Sequence, residues 1–272
     1  MRICLLVLIV SWSIFVPAQS FNGKIISKGN QTPVEYANIG IPNKNIGTTS
    51  DASGNFSINL PAQFNNDTLR ISCIGFETKN ILIRDLVSSK TNYVELSEKT
   101  YNLSETVIIP KRFKEKVLGV KTKSKSIQAG FNEHILGKEM GVILAIRKSA
   151  KLKKINLNIA TCNFDTIFYR INVYEVRNLW KRDFVNVLKT PLYIKIPKDK
   201  VKSTITIDIE NRDIWVKGNC LVTIEYVKDL GKGQLYFCAG IGNSTYHRTT
   251  SQAKWSSTPI GIGLNVLADV EY

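Results

Sequence analysis

Beyond residue 20, polar and apolar positions alternate along most of the chain with a period of two, the spacing of strands that bury one face. The clearest cases are Ile155-Asn156-Leu157-Asn158-Ile159, Leu192-Tyr193-Ile194-Lys195-Ile196 and Thr204-Ile205-Thr206-Ile207-Asp208-Ile209. Longer runs cover Ile167 to Val176, Leu221 to Val227, Leu235 to Ile241 and Ile262 to Tyr272. Turn residues punctuate them: Lys228-Asp229-Leu230-Gly231-Lys232-Gly233 predicts a hairpin loop and Lys217-Gly218-Asn219 a turn. Apolar residues at helical spacing occur only in the first twenty positions. Short strands at this spacing predict an all-β chain built of antiparallel sandwiches rather than βαβ units.

Residues 1–20 predict a secretory signal peptide. Met1-Arg2 opens with a positive charge, and Ile3 to Val16 is uncharged and mostly apolar. That run falls short of the about 20 apolar residues a membrane span needs. Val16, Ala18 and Ser20 provide small residues at cleavage spacing, after Ala18 or after Ser20. Cys4 precedes the apolar run, so a lipoprotein start is not expected, and no second hydrophobic span follows. The expectation is a protein exported to the periplasm, the outer membrane or the cell surface, with no transmembrane span in the mature chain.

Export permits disulfides. Alternation nevertheless puts Cys73 on the buried face of its strand, and Cys220 beside Val222 and Ile224. Cys238 points away from Leu235 and Phe237, so it and Cys220 lie on opposite faces and cannot bridge. Mostly free thiols are expected, with a Cys162–Cys238 pair left open.

Charge divides the chain. The formal balance is +15, and the segment from Pro110 to Ser126 holds seven basic residues and one acid. It reads as a basic linker, 110–126, between a first sandwich at 21–109 and a second at 127–272. Each half is long enough to bury its own core.

The first sandwich resembles the carboxypeptidase regulatory-like domain, a transthyretin-like seven-stranded β-sandwich. The likeness runs through Phe21-Asn22-Gly23-Lys24-Ile25, Thr32-Pro33-Val34 and Ala37-Asn38-Ile39-Gly40-Ile41. It continues through Gly47 to Phe56, Leu69 to Glu77, Val94-Glu95-Leu96 and Leu103 to Val107. Asp51 with Gly54 fits a type I turn, Gly75 allows a tight bend, and Phe56, Ile58 and Leu60 alternate inward. In that family the domain accompanies a zinc peptidase or fronts an outer-membrane transporter. Zinc peptidase chemistry needs His and Glu at helical spacing plus a distant His, whereas His134 directly follows Glu133 and His247 stands alone. About 160 further residues do not supply a large transporter barrel. The second half resembles a jelly-roll-type accessory sandwich of small exported proteins from double-membraned bacteria, through Phe168 to Tyr174 and Gly240 to Trp255.

Most candidate sites resolve into ordinary structure. Ser244 with His247 lacks nucleophile-elbow glycines and an acidic partner. Gly240-Ile241-Gly242 and Gly261-Ile262-Gly263 lack the following helix of a phosphate loop, and Asp51 to Gly54 lacks the later acids of a calcium loop. No cofactor or metal motif is present. Asp67-Thr68-Leu69 and Asp165-Thr166-Ile167 match a short O-glycosylation pattern of envelope proteins. Two basic clusters, Lys111 to Lys125 and Arg147-Lys148 with Lys151, Lys153 and Lys154, contain Phe113 as their one aromatic, so nucleic acid is not expected. A solvated basic face is the leading reading of these clusters; as a partner, an anionic envelope polymer or lipid fits them better than nucleic acid. Tyr246, Arg248 and Trp255, with Trp215 as a further candidate, could form an aromatic ligand platform at the sandwich end.

The sequence therefore predicts an exported, non-enzymatic binding or scaffolding protein of the bacterial envelope, its partner an envelope protein or glycan. The alternatives are a glycan-active enzyme with paired carboxylates on the second sandwich, or an accessory subunit of an outer-membrane complex, which an exposed apolar patch would indicate.

Overall fold

The computed structural model describes residues 18–88, 92–100 and 112–272. Most of the segment expected to be a signal peptide lies outside the described residues; only Ala18 to Ser20 fall within them, as the start of β1. Leu103 to Val107 of the family likeness are also outside.

The alternating segments of the first half form β1 (Ala18–Ser27), β2 (Asn38–Gly40), β3 (Gly47–Thr49), β4 (Asn55–Pro61), β5 (Thr68–Ser72), β6 (Lys79–Leu82) and β7 (Tyr93–Leu96). They make two sheets, β4-β1-β7 and β3-β2-β5-β6. β1 runs parallel to β7 and antiparallel to β4. Phe56, Ile58 and Leu60 point from alternate positions of β4 into a core with Ile25, Ile39, Leu69 and Ile71. A short helix, α1 (Ile83–Ser88), adds Ile83 and Leu86 to that core. The Asp51 turn forms as its residues dictate: Gly54 N donates to Asp51 O at 3.1 Å, with Gly54 at φ +78°.

The second half contributes β8 (Phe113–Gly119), β9 (Ile127–Phe131), β10 (Glu139–Leu144), β11 (Ser149–Cys162), β12 (Thr166–Asn178), β13 (Asp183–Asn186) and β14 (Leu192–Pro197). It continues with β15 (Thr204–Asp208), β16 (Trp215–Lys217), β17 (Cys220–Glu225), β18 (Leu235–Arg248), β19 (Ser256–Ile262) and β20 (Leu264–Glu271). All join one thirteen-stranded sheet whose main path is β13-β12-β17-β10-β18-β11-β20-β8. The long strands carry the sheet over its own core: β11 pairs with β20 through Ala150 to Leu157, then with β18 through Ile159 to Cys162. Phe131, Tyr169, Tyr226 and Phe237 lie in the middle of this core.

Three local expectations change. Residues 113–119 of the basic segment are not linker but β8, hydrogen-bonded to β20 from Asn265 to Glu271; Leu118 meets the core while the Lys residues stay in water. Lys228 to Gly233 is not a hairpin loop, because β10 lies between β17 and β18. Turn residues mark a reversal but do not choose the strand that pairs. Cys73 follows the end of β5 and is half-buried rather than enclosed.

The two cores are separate, and a largely polar interface joins them. Asn43 N donates to Gln252 O at 2.9 Å, Thr49 Oγ1 to Val227 O at 2.9 Å, and Gln252 Nε2 to Ser72 Oγ at 2.9 Å. Gly40 and Gly47 let the β2–β3 hairpin lie against the Ser251 carbonyl. Tyr36 packs on Phe168 and Tyr193, both with ring centroids at 5.3 Å. Among the described residues no helix is long and apolar enough to cross a membrane.

Candidate functional site

Four adjacent strands, β12, β17, β10 and β18, align one charged residue each. Arg170 lies opposite Glu225, Glu225 opposite Glu139, and Glu139 opposite Arg248. The resulting row reads plus, minus, minus, plus, and all four side chains are buried. Buried charges persist only when paired and hydrogen-bonded, and here each has its counterion. Arg170 gives Nε and Nη2 to Glu225 Oε2 at 3.0 and 2.8 Å. Arg248 Nη2 lies 2.6 Å from Glu139 Oε2 and 3.7 Å from Glu225 Oε1.

Neutral donors complete the row. Asn172 Nδ2 bridges the two carboxylates, at 2.8 Å to Glu139 Oε1 and 2.7 Å to Glu225 Oε2. Tyr174 donates to Glu139 Oε1 at 2.9 Å, and Thr223 Oγ1 donates to the same oxygen. Burial raises the Glu139 carboxyl above its ordinary range; Arg248 pulls the other way and the Glu225 charge adds to the rise. Burial opposes the charge on Arg170 and Arg248, but Glu225 and Glu139 respectively hold both guanidiniums firmly protonated. Burial likewise lifts the Tyr174 phenol far above its usual value. Arg248 Nε has no hydrogen-bond acceptor.

Arg170 and Arg248 of this row, with Asn172 and Tyr174, line a cleft of about 670 Å³ between the two sandwiches, and Glu139 and Glu225 do not reach it. The first sandwich supplies Asn38, Arg70, Ser72, Cys73 and Asn80, and the second Arg182, Phe184, Asn186, Gln252 and Trp255. The structure brings the three proposed platform residues together around Phe184. Tyr246 and Trp255 meet that ring edge-on at 5.9 and 5.4 Å, and the Arg248 guanidinium lies 5.1 Å from the Trp255 centroid. Arg248 and Trp255 line the cleft; Tyr246 stands behind Phe184. Trp215 is apart, packed on Phe113 at 5.6 Å.

The other candidates do not converge on this place. Ser244 is exposed, and His134 Nδ1 pairs with Tyr226 Oη at 3.3 Å. Cys162 and Cys238 are both free, and it is Leu235 that lies opposite Cys162. Thr68 and Thr166 open β5 and β12. Among the described residues no group of three or more His, Cys, Asp or Glu could hold a metal.

Sequence reasoning missed Arg170, Glu139, Glu225, Arg182 and Phe184. One readable signal was Arg170, Asn172 and Tyr174 on a single face of a strand whose other face is Tyr169, Ile171 and Val173.

Comparison with known proteins places residues 21–108 in the CarboxypepD_reg-like domain family, so the first sandwich is a regulatory-like domain. No curated protein matches the chain. Among solved structures it is similar to BcpA, the major pilin subunit of Bacillus cereus, at 11% identity over 92% of this chain and 69% of that one, with a TM-score of 0.19. The infectious bursal disease virus VP2 subviral particle gives 10% identity over 94% and 80%, also at 0.19. At that TM-score neither likeness carries an argument.

Proposed function

We propose that this chain is an exported, non-enzymatic binding or scaffolding protein of the bacterial envelope whose recognition surface is the interdomain cleft. The observation that supports this most is the composition of the cleft wall. Trp255 and Phe184 offer apolar ring faces, while Arg70, Asn80, Asn186 and Gln252 offer donors from both sandwiches. Concave sites with a few placed polar groups beside aromatics suit sugars and other hydroxyl-rich or anionic ligands. The leader and the regulatory-like domain support export and an accessory role.

A glycan-active enzyme is the second reading, since Glu139 and Glu225 are a close carboxylate pair. A glycosidase needs one carboxyl to donate a proton to substrate and another to face the sugar. Both glutamates are instead fully buried, held by Arg170, Arg248 and Asn172. That arrangement favours binding over hydrolysis.

The test is a glycan and envelope-polymer array with residues 18–272, at low and physiological salt. Salt-resistant binding to one sugar class, lost in Trp255→Ala, supports the cleft. Binding that vanishes with salt reduces it to general attraction. Binding unchanged by Trp255→Ala, or none at all, rejects the proposal, and release of reducing sugar would favour the enzyme.

A further inference from the structure

Strands β12 and β13 are joined by a turn whose shape is fixed from several sides. Lys181 N donates to Asn178 Oδ1 at 2.9 Å, and Arg182 N donates to Leu179 O at 3.2 Å. Arg182 takes a left-handed conformation, φ +53°, that non-glycine residues rarely adopt. Its guanidinium reaches back to Trp255 O at 2.7 Å and Ser257 Oγ at 3.2 Å. The tip so held presents Leu179 at 40% exposure and Trp180 at 97%. A scattered exposed apolar residue needs no explanation. An adjacent Leu-Trp pair at the end of a braced hairpin does.

The surroundings indicate what the tip meets. Arg177 near the end of β12 and Lys181 in the turn flank it, and both are exposed. Val176 N donates to Asn219 O at 3.2 Å, and Gly218 N to Lys148 O at 2.7 Å, so the next turn and the Arg147-Lys148 cluster stand at the same end. Arg147, Lys148 and Lys217 are also exposed there; the nearby acids are Glu175 and Asp183. An apolar tip with an indole, ringed by cations, matches a surface with negative headgroups above hydrocarbon.

We propose that Leu179 and Trp180 insert into an anionic lipid surface while Arg147, Lys148, Arg177, Lys181 and Lys217 engage its headgroups. The proposal does not rest on ligand binding in the cleft, although Lys181 also lines it, and it gives Arg147 and Lys148 of the second basic cluster a place to act.

The experiment uses residues 18–272, which contain both described cores, with vesicles of phosphatidylglycerol in phosphatidylcholine. Co-sedimentation and a blue shift of Trp emission are expected with these vesicles and not with phosphatidylcholine alone. The double variant Leu179→Ser with Trp180→Ser should weaken binding roughly tenfold or more and abolish the shift. Its thermal midpoint should stay unchanged, because neither side chain belongs to a core. Lys148→Glu with Lys181→Glu should weaken binding without moving the residual emission. Absence of binding, equal binding to neutral vesicles, or full binding by the double serine variant would each overturn the proposal. Displacement by free glycerol phosphate at constant ionic strength would overturn it as well, assigning the cations to a soluble anion.

Discussion

Arg170 of the second sandwich donates Nη1 to the backbone carbonyl of Tyr36 in the first, at 2.6 Å, and the contact is buried. The same guanidinium gives Nη2 to Asn38 Oδ1 at 2.6 Å. Because Arg170 is also held by Glu225, the charged row within one domain ends on the backbone of the other. Interfaces between domains usually leave room for relative motion. A buried guanidinium serving both sides removes much of that freedom, and it fixes the cleft before any ligand arrives.

Replacing Arg170 tests this coupling. Arg170→Met leaves Glu225 buried with a weaker counterion, Arg248 at 3.7 Å, and leaves the Tyr36 carbonyl unpaired. Loss of one member of a buried pair costs about 3–5 kcal/mol. Thermal unfolding should shift down strongly and separate into two transitions. Adding Glu225→Gln should recover part of the loss, since no uncompensated carboxylate remains. A single unshifted transition in Arg170→Met would show that the domains are not coupled through this residue.

Gly47 gives a steric test of the same interface. A methyl group there would collide with the Ser251 carbonyl, which belongs to the backbone and cannot rotate away. Gly47→Ala should destabilise by about 1–3 kcal/mol, read as a lower urea midpoint. Gly240→Ala is the control, because the nearest atom to its Cβ is Thr122 Cγ2 at 3.6 Å. Equal midpoints for the two variants would refute the close approach.

Period-two alternation made the fold largely legible. β11, β12, β14, β15, β17, β18 and β20 all fall on segments that it marks, and the Asp51 turn follows from its residue types. The charged row was hidden for a physical reason. Alternation tells which residues share a face, and Arg170, Asn172 and Tyr174 read as the face turned to water. It does not tell what covers that face: here the regulatory-like domain meets Arg170, while Asn186 and Trp255 of the second sandwich itself meet Asn172 and Tyr174. The glutamates and arginines of the row are also separated by tens of residues, so only strand order brings them together. Tyr246, Arg248 and Trp255 could be grouped from the sequence because they lie within one β18–β19 segment.

The thiols should report this burial directly. Cys220 is enclosed, and burial pushes its thiol up to about 12. Cys238 is enclosed too, whereas Cys73 and Cys162 are half-buried. Burial raises both of the latter thiols as well, so even these two react slowly. Under native conditions iodoacetamide should modify Cys73 and Cys162 first, and all four should react after denaturation without reductant. Peptide mass spectrometry reads the order. A Cys162–Cys238 cross-linked peptide would contradict the free thiols.

His247 makes one part of the stability depend on pH. It sits half-buried on β18, opposite Met140 of β10 and Ser256 of β19. Burial lowers its imidazole below the usual value; a backbone hydrogen bond at Thr245 opposes this, and Lys138 and Arg182 add to the lowering. The unfolded chain therefore takes up a proton near the ordinary pKa of about 6.5 while the folded chain still resists it. As pH falls through that value the folded state loses stability, and the loss levels off once the folded imidazole is protonated. His247→Gln removes this contribution. Carboxylates titrate in both proteins, so the difference between their thermal midpoints is the quantity to follow from pH 7.5 to pH 5. Wild type should lose ground to the variant on acidification. A difference that stays constant, or moves in favour of wild type, would show that the imidazole is not depressed in the fold.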